Sequence, residues 1–217
     1  MKLFYIRLLN MLLGVFLFAL GIILVIRANI GAAPWDVLHT GIANSLGWSI
    51  GTASIVVGIV ILIIIKFFGS ELGLGTIANM LLIGVFVDII LKIDVIPKMS
   101  NIISASIMLI TGLFAIAVGS YFYIKSGFGA GPRDSLMVLL VKKTKLPVGI
   151  CRGMIELVVT ITGWLLGGMI GIGTAMFVVG IGFCVQITFR FFKFDVTAVK
   201  HESLRDTFAC LTGKSAN

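Results

Sequence analysis

The feature that most constrains this chain is a series of long apolar runs in which charged residues are almost absent. The longest run, from Leu157 to Phe189, contains no charged residue. Of the 217 residues, 59% are hydrophobic and only 12% are charged, against about 25% charged in soluble domains. One core of this size cannot bury so much apolar surface, so the sequence predicts a polytopic membrane protein. It excludes a soluble enzyme, a secreted disulfide scaffold and a disordered regulator.

The apolar runs predict an all-α fold with six transmembrane helices, each about 25–36 Å long. The run from Leu157 to Phe189 is too long for one span, and we expect it to turn near Gly167–Gly168 and Gly171–Gly173. No small-residue cleavage site follows the first run, so we interpret that run as a retained helix and not as a signal peptide. The expected spans are Leu8–Ile26, Ile50–Ile65, Leu72–Leu91, Asn101–Ile124, 148–168 and 172–192.

An internal repeat relates the two halves of the chain. With a shift of 98 residues, Gly31–Leu38 aligns with Gly129–Leu136, and about 21 of about 88 positions are identical without a gap. Each copy holds three spans, an odd number, so the second copy must enter the membrane from the opposite side. The sequence therefore predicts 3+3 inverted repeats. The expected units are a first three-helix repeat at 1–98, a second repeat at 99–192 and a basic cytoplasmic tail at 193–217.

The basic residues predict how the repeats are oriented. The net charge is +8, and the segment 28–49 contains no Lys or Arg, whereas its counterpart 126–147 contains four basic residues. By the positive-inside rule both termini are then cytoplasmic. The basic residues form no continuous stripe, so we expect the lipid bilayer and not nucleic acid as the partner. A homo-oligomer is compatible with the sequence but is not indicated by it.

A short helix is expected after the first span of each repeat. Pro34 and Pro132 suit the first helical position, and Asp36 and Asp134 then lie at the third, where a carboxylate is favourable. The helices would cover 34–46 and 132–144, reaching about 18 Å, which is too short to span the membrane. Two interpretations remain open: each short helix re-enters the membrane beside a shared site, or it is an amphipathic connector in the interface.

A charged pair is expected inside the fifth span. Arg152 and Glu156 lie one helical turn apart and can pair, and charge at this depth is costly unless it is paired or faces water. The first repeat has Ser54 and Gly58 at the matching positions, which favours a functional role, such as a gate or a solute contact, over helix packing. Arg133 is a candidate third member of this group.

The remaining polar residues have simpler explanations. Asp88 is expected to be a cap or a surface partner of Lys92, in preference to a pathway residue. His39 has only Asp36 as a second ligand candidate within helical reach, so a metal site is not expected there. The three cysteines are scattered and are expected to be reduced and structural. No nucleophile–base pattern occurs, so we expect neither enzymatic activity, nor a metal, nor a cofactor. Glycines that recur every seven residues predict smooth faces where neighbouring helices approach closely.

The paired Gly-x-x-Pro-x-Asp motifs occur together with several further segments. The chain thereby resembles the YczE family of bacterial membrane proteins, which is related to the YitT and YyaS groups, from about residue 8 to residue 190. The resemblance implies a multi-pass protein of the bacterial plasma membrane and adds little about activity. The further segments are Ser49–Ser54, Leu74–Thr76, Arg152–Glu156 and Gly163–Gly168.

The physical pattern predicts a transporter or channel-like carrier of a small polar solute. Helix N-termini and arginines favour anionic character in the solute, whereas the two motif aspartates argue against a simple anion pore. The alternative is a non-transporting accessory or scaffold protein of the membrane. The candidate binding or gating residues are Gly31, Pro34, Asp36, Gly129, Pro132, Arg133, Asp134, Arg152 and Glu156.

Overall fold

The computed structural model describes residues 2–69, 74–128, 131–146 and 148–194. Within these ranges the chain forms eight α-helices and no strand, which confirms the all-α fold class. Six of these helices are long, and two have 13 residues each. In chain order they are α1 (Lys2–Ala28), α2 (Pro34–Leu46), α3 (Ile50–Phe67), α4 (Leu74–Ile93), α5 (Ile102–Lys125), α6 (Pro132–Thr144), α7 (Val148–Leu165) and α8 (Ile172–Phe191).

The long helices are those of a membrane protein. Among the described residues, α1, α3, α4, α5 and α8 are long and apolar enough to cross a membrane, and α7 contributes a shorter apolar stretch, Gly153–Leu165. Large apolar side chains cover the outside of the bundle; Ile63 and Phe183, for example, are each 63% exposed. Such a surface requires lipid as its solvent. The chain is therefore a multi-pass membrane protein.

The helices of the second half follow those of the first at a constant distance along the chain. The first and last residues of α6, α7 and α8 lie 98 positions after the first and last residues of α2, α3 and α4, respectively. Pro34 and Pro132 each occupy the first turn of their helix. The two short helices also end alike, with Gly47 and Lys145 both in the left-handed conformation. Their bounds are those expected from the sequence.

Glycines form the contact between α1 and α5. Gly14 lies against Gly119, and Gly21 lies against Gly112, so that a Cβ added at Gly14 would be 2.8 Å from the Gly119 carbonyl oxygen. From the first glycine contact to the second, the residue number increases on α1 and decreases on α5, so these two helices are antiparallel. The predicted use of these glycines as smooth packing faces is confirmed.

Two equivalent hydrogen bonds connect a loop of each half with a helix of the other half. The Gly173 N–H donates to the Ile30 carbonyl oxygen (2.7 Å), and the Gly75 N–H donates to the Phe128 carbonyl oxygen (2.8 Å). The two hydrogen bonds are equivalent, because the residues of one lie 98 positions from the corresponding residues of the other. Each half therefore docks the turn after its first helix onto the last helix of the other half.

The C-terminal ends of the two short helices make a second pair of equivalent contacts, each with the other half. The Ser45 hydroxyl donates to the Leu166 carbonyl oxygen (3.0 Å) at the end of α7. At the equivalent position the Lys143 ammonium lies over the Phe68 ring (4.1 Å to the centroid) at the end of α3. Thus α2 ends beside α7, and α6 ends beside α3.

Asp88 on α4 caps the N-terminus of α3. Its Oδ1 accepts from the Gly51 N–H (2.8 Å), and its Oδ2 accepts from the Ser49 hydroxyl (2.5 Å). The interpretation of Asp88 as a cap is confirmed, although the capped helix is its neighbour and the partner is not Lys92. The equivalent position in the second half is Gln186.

Several expected bounds need correction. The first helix begins at Lys2 and not at Leu8, and α7 ends at Leu165 and not at 168. Gly167 explains the second difference: it lies beyond the helix with φ +86°, a left-handed turn position that suits glycine.

Two of the three cysteines lie within the described residues. Cys151 and Cys184 are free and buried, in agreement with the expectation of reduced, structural thiols. Cys210 lies outside the described residues, as does all of the expected cytoplasmic tail beyond residue 194.

Candidate functional site

A cavity of about 270 Å³ lies among the helices, and each of the eight described helices contributes to its wall. Ligand pockets typically start at roughly 300 Å³, so this space suits a small solute. Most of the wall is aliphatic or aromatic. Its polar and charged side chains are Asp36, His39, Ser54, Asn79, Ser120, Tyr123, Arg133 and Glu156.

The first motif places a buried carboxylate at this cavity. Pro34 starts α2 from an extended residue, Ala33, so that Trp35 and Asp36 lie in the first turn. Asp36 is only 1% exposed, and no residue that the structure describes donates a hydrogen bond to its Oδ1. The nearest ring nitrogen, His39 Nδ1, is 3.6 Å from that oxygen, beyond hydrogen-bonding distance.

The second motif reaches the same cavity from the other half. Pro132 starts α6, and the Arg133 guanidinium lies over the Trp35 ring, 4.9 Å from its centroid. Trp35 and Arg133 occupy equivalent positions, so the two short helices meet at their N-terminal ends. The Gly131 N–H donates to the Tyr123 hydroxyl, which joins the motif to α5.

The cavity is not symmetric between the two ends of the bundle. Its wall includes Tyr123 and Ile124 at the end of α5, and Val185 and Phe189 near the end of α8. Their counterparts on α1 and α4 are Val25, Ile26, Val87 and Leu91, which pack instead in the apolar core. The cavity therefore extends toward one end of the bundle and is closed by packed side chains at the other.

Charged residues mark these two ends. Arg7 donates from Nε to the Ser126 carbonyl oxygen (2.7 Å), so the start of α1 lies beside the end of α5. At the opposite end Arg27 forms an ion pair with Asp94, where α1 and α4 terminate. The cavity extends toward the end that carries Arg7 and Lys125.

Only some of the site residues predicted from the sequence line the cavity. Pro34, Asp36, Pro132, Arg133 and Glu156 all line the cavity. Gly31 does not; it adopts φ +128° and packs against Gly171 and Thr174 at the start of α8. Gly129 lies outside the described residues, and so do the side chains of Asp134 and Arg152, although their backbones belong to α6 and α7.

Sequence reasoning missed several cavity residues. His39 was considered only as a metal ligand, yet it lies buried beside Asp36. Asn79 is buried and lines the cavity, as do Ser120 and Tyr123. The one available signal was helical spacing, because His39 lies one turn after Asp36 on the same short helix.

The chemistry of the wall is that of a binding site. Carboxylates, a guanidinium, hydroxyls and an amide project from an otherwise apolar surface, which is the usual composition of small-molecule sites. Among the residues that the structure describes, no group of three or more His, Cys, Asp or Glu could hold a metal ion. A solute held here would be recognised by a few polar contacts at fixed positions.

Comparison with known proteins identifies the family. Residues 5–190 match the family described as "Family of unknown function (DUF6198)". The chain belongs to this family. The expected resemblance to YczE is confirmed as well: the "Uncharacterized membrane protein YczE" of Bacillus subtilis (strain 168) is 35% identical over 165 residues, covering 75% of this chain and 76% of that protein.

Two further relatives support this assignment. An "Uncharacterized protein" of Haemophilus influenzae (strain ATCC 51907 / DSM 11121 / KW20 / Rd) is 34% identical over 179 residues, covering 80% of this chain and 81% of that protein. The "Uncharacterized protein YyaS" of Bacillus subtilis (strain 168) is 24% identical over 169 residues, covering 76% of this chain and 83% of that protein. No solved structure matches the chain significantly.

Proposed function

We propose that this chain is a transporter of a small polar solute in the bacterial plasma membrane, and that the central cavity is its binding site. The observation that carries the proposal is the meeting of the two equivalent motifs at one cavity, where Arg133 lies over Trp35. Solute sites at the interface of two repeats are typical of secondary transporters. No chemical step is part of the proposal.

The proposal includes six spans arranged as 3+3 inverted repeats, with α7 as the sixth span. Three observations support it: the constant shift between equivalent helices, the antiparallel packing of α1 on α5, and the exchanged loop contacts. Antiparallel first helices are what an inverted repeat requires, because the equivalent helices then cross the bilayer in opposite directions.

The short helices are proposed to be half-helices that enter the protein interior. Residues 34–39 of α2 are all buried, Asp36 and His39 included, whereas residues 44–48 are exposed. An amphipathic connector in the interface would instead turn its charged side chains toward water. Irregular backbone before such a half-helix is tolerated at membrane depth where it lines a cavity.

The asymmetry of the cavity fits one state of an alternating-access cycle. The wall extends toward the end with Arg7 and Lys125, which the positive-inside rule assigns to the cytoplasm together with both termini. The opposite end is closed where α2 packs on α7 through Gly41 and Gly163. In the other state, rocking of one repeat on the other would open this contact.

Filling the cavity is expected to abolish uptake. Ser120 on α5 lines the cavity and donates only to its own helix, at the Ile116 carbonyl oxygen (2.8 Å). The variant Ser120→Phe places a ring in the solute space, so we expect uptake to fall at least tenfold. The measurement is uptake of radiolabelled solutes from a broad panel of small polar compounds by proteoliposomes that contain the purified chain.

The matched control is Thr111→Phe on the same helix. Thr111 also donates to its own helix (Ile107 carbonyl oxygen, 2.9 Å), but it is exposed on the outer face. It should keep wild-type uptake. If the wild-type chain moves no solute across the panel, or if both variants behave alike, the transporter proposal fails and a non-transporting membrane accessory protein becomes the better account.

A further inference from the structure

The strongest unexplained feature of the cavity is the carboxylate of Asp36. It is 1% exposed, and its Oδ1 receives no hydrogen bond from any described residue. A buried carboxylate oxygen without a hydrogen-bond donor is costly in free energy because it has lost its water. The His39 ring, 3.6 Å away, and the positive end of α2 offset that loss only in part, since neither donates a hydrogen bond to Oδ1. Such a group is expected where a ligand supplies the missing donor.

We propose that Asp36 Oδ1 binds the protonated amine of a small organic solute held in the cavity. This inference rests on the proposed function, because it names the chemical class of the transported solute. An ammonium group carries both the positive charge and the N–H donors that the orphaned oxygen needs, and charge-assisted hydrogen bonds of this kind are among the strongest in proteins.

The rest of the wall explains why the cation should be organic. The cavity that Asp36 lines is otherwise walled mainly by carbon-rich side chains, including Phe18, Ile22, Ile116 and Phe177. Divalent metal cations in proteins are usually held by several carboxylates, and the described residues contain no group of three or more His, Cys, Asp or Glu that could hold one. An ammonium with an apolar stem satisfies the carboxylate and fills the remaining apolar volume.

The positive charge of Arg133 does not oppose this assignment. Its guanidinium lies on the Trp35 ring, and a second carboxylate, Glu156, lines the same cavity. Asp36 on α2 and Glu156 on α7 therefore line the same wall as this guanidinium. An amino acid would satisfy the same ammonium requirement with an additional carboxylate, so the test includes both kinds of amine.

The test is a binding series on the purified full-length chain, measured by isothermal titration calorimetry. The probes are n-butylammonium, 4-aminobutyrate, n-butanol and butyrate. We expect butylammonium or 4-aminobutyrate to bind at least tenfold more tightly than butanol and butyrate. Preference for 4-aminobutyrate would identify an amino acid, and preference for butylammonium a simple amine. Butanol or butyrate binding as tightly as both amines would overturn the proposal, and so would the absence of binding by either amine.

The variant Asp36→Asn keeps the size of the side chain and removes its charge. It should weaken amine binding at least tenfold and leave butanol binding unchanged, whereas Asp94→Asn, outside the cavity, should change neither. Unaltered amine binding by Asp36→Asn would overturn the proposal. If that variant does not fold, the relative affinities of the four probes for the wild-type chain decide whether the amine proposal holds.

The two proposals fail in different ways. Amine binding that depends on Asp36, without uptake by proteoliposomes, would support the site and reject the transporter. Uptake of a neutral or anionic solute that Asp36→Asn leaves intact would support the transporter and reject the amine site.

Discussion

Replacing Gly119 with valine is expected to destabilise the protein by about 3 kcal/mol or more, because overpacking of a close helix contact has no room to relax. A Cβ at this position would lie 2.6 Å from the Phe18 backbone nitrogen and 2.7 Å from the Gly14 carbonyl oxygen. Both atoms belong to the backbone of α1, so no side-chain rotation relieves the clash. The measurement is the unfolding temperature of the purified protein in detergent, which should fall by about 10 °C.

Gly182→Val on α8 is the matched control for this substitution. Gly182 is also inside a long helix of the second half, but nothing lies within 4 Å of a Cβ added there. Its substitution should leave the unfolding temperature close to that of the wild type. Equal losses for the two variants would mean that valine destabilises any such helix, and that the contact between α1 and α5 has no special role.

Gly31→Ala is expected to be the most damaging single-methyl substitution in the first motif. Gly31 adopts φ +128°, where L side chains are strained, and its Cβ would lie 2.7 Å from the Thr174 nitrogen. Strain and steric clash should together cost about 3 kcal/mol. Because this turn docks the first motif onto α8, uptake by proteoliposomes should fall as well, which gives a second measurement besides the unfolding temperature.

Gly47→Ala is a milder comparison, because Gly47 lies in the left-handed region that other residues adopt at modest cost, whereas φ at Gly31 lies beyond that region. Gly47 also has a positive φ, +69°, but nothing lies within 4 Å of a Cβ added there. The expected loss is about 1 kcal/mol with uptake retained, since only the left-handed conformation is penalised. If Gly47→Ala were as damaging as Gly31→Ala, backbone strain alone would account for the effect, and the docking of the turn on α8 would not be needed.

The features that the sequence predicted well are local ones. The bounds of α2 and α6 follow from proline at the first helical position and from the turn that ends each short helix. The glycine faces of α1 and α5 follow from a spacing of seven residues, which returns to one side of a helix. The shift of 98 residues that aligns Gly, Pro and Asp in the sequence also relates the bounds of α2–α4 to those of α6–α8.

The features that it predicted poorly depend on contacts between distant segments. Whether the short helices lie in the interface or in the interior is decided by their packing on α7 and α3, which periodicity does not encode. The contact between Trp35 and Arg133 likewise arises only when the two halves come together. The burial of His39 depends on the helices that pack around α2. The turn expected near Gly167–Gly168 is present, with Gly167 left-handed, but the end of α7 was placed three residues too late, at 168 and not at Leu165.

The central claim is that the two halves enter the membrane from opposite sides and meet at one cavity, and cysteine accessibility tests it most directly. Ser45 and Lys143 are the informative positions, because they are equivalent, exposed and close to the ends of the two short helices. Each would be changed singly to cysteine in a chain whose native cysteines are replaced by serine; two of these, Cys151 and Cys184, are buried.

An impermeant thiol reagent would then be applied to either face of the membrane. The account predicts that Ser45→Cys is labelled only from outside the cell and Lys143→Cys only from the cytoplasm. Labelling of both positions from the same face would contradict the inverted arrangement, and with it the shared site between the two motifs.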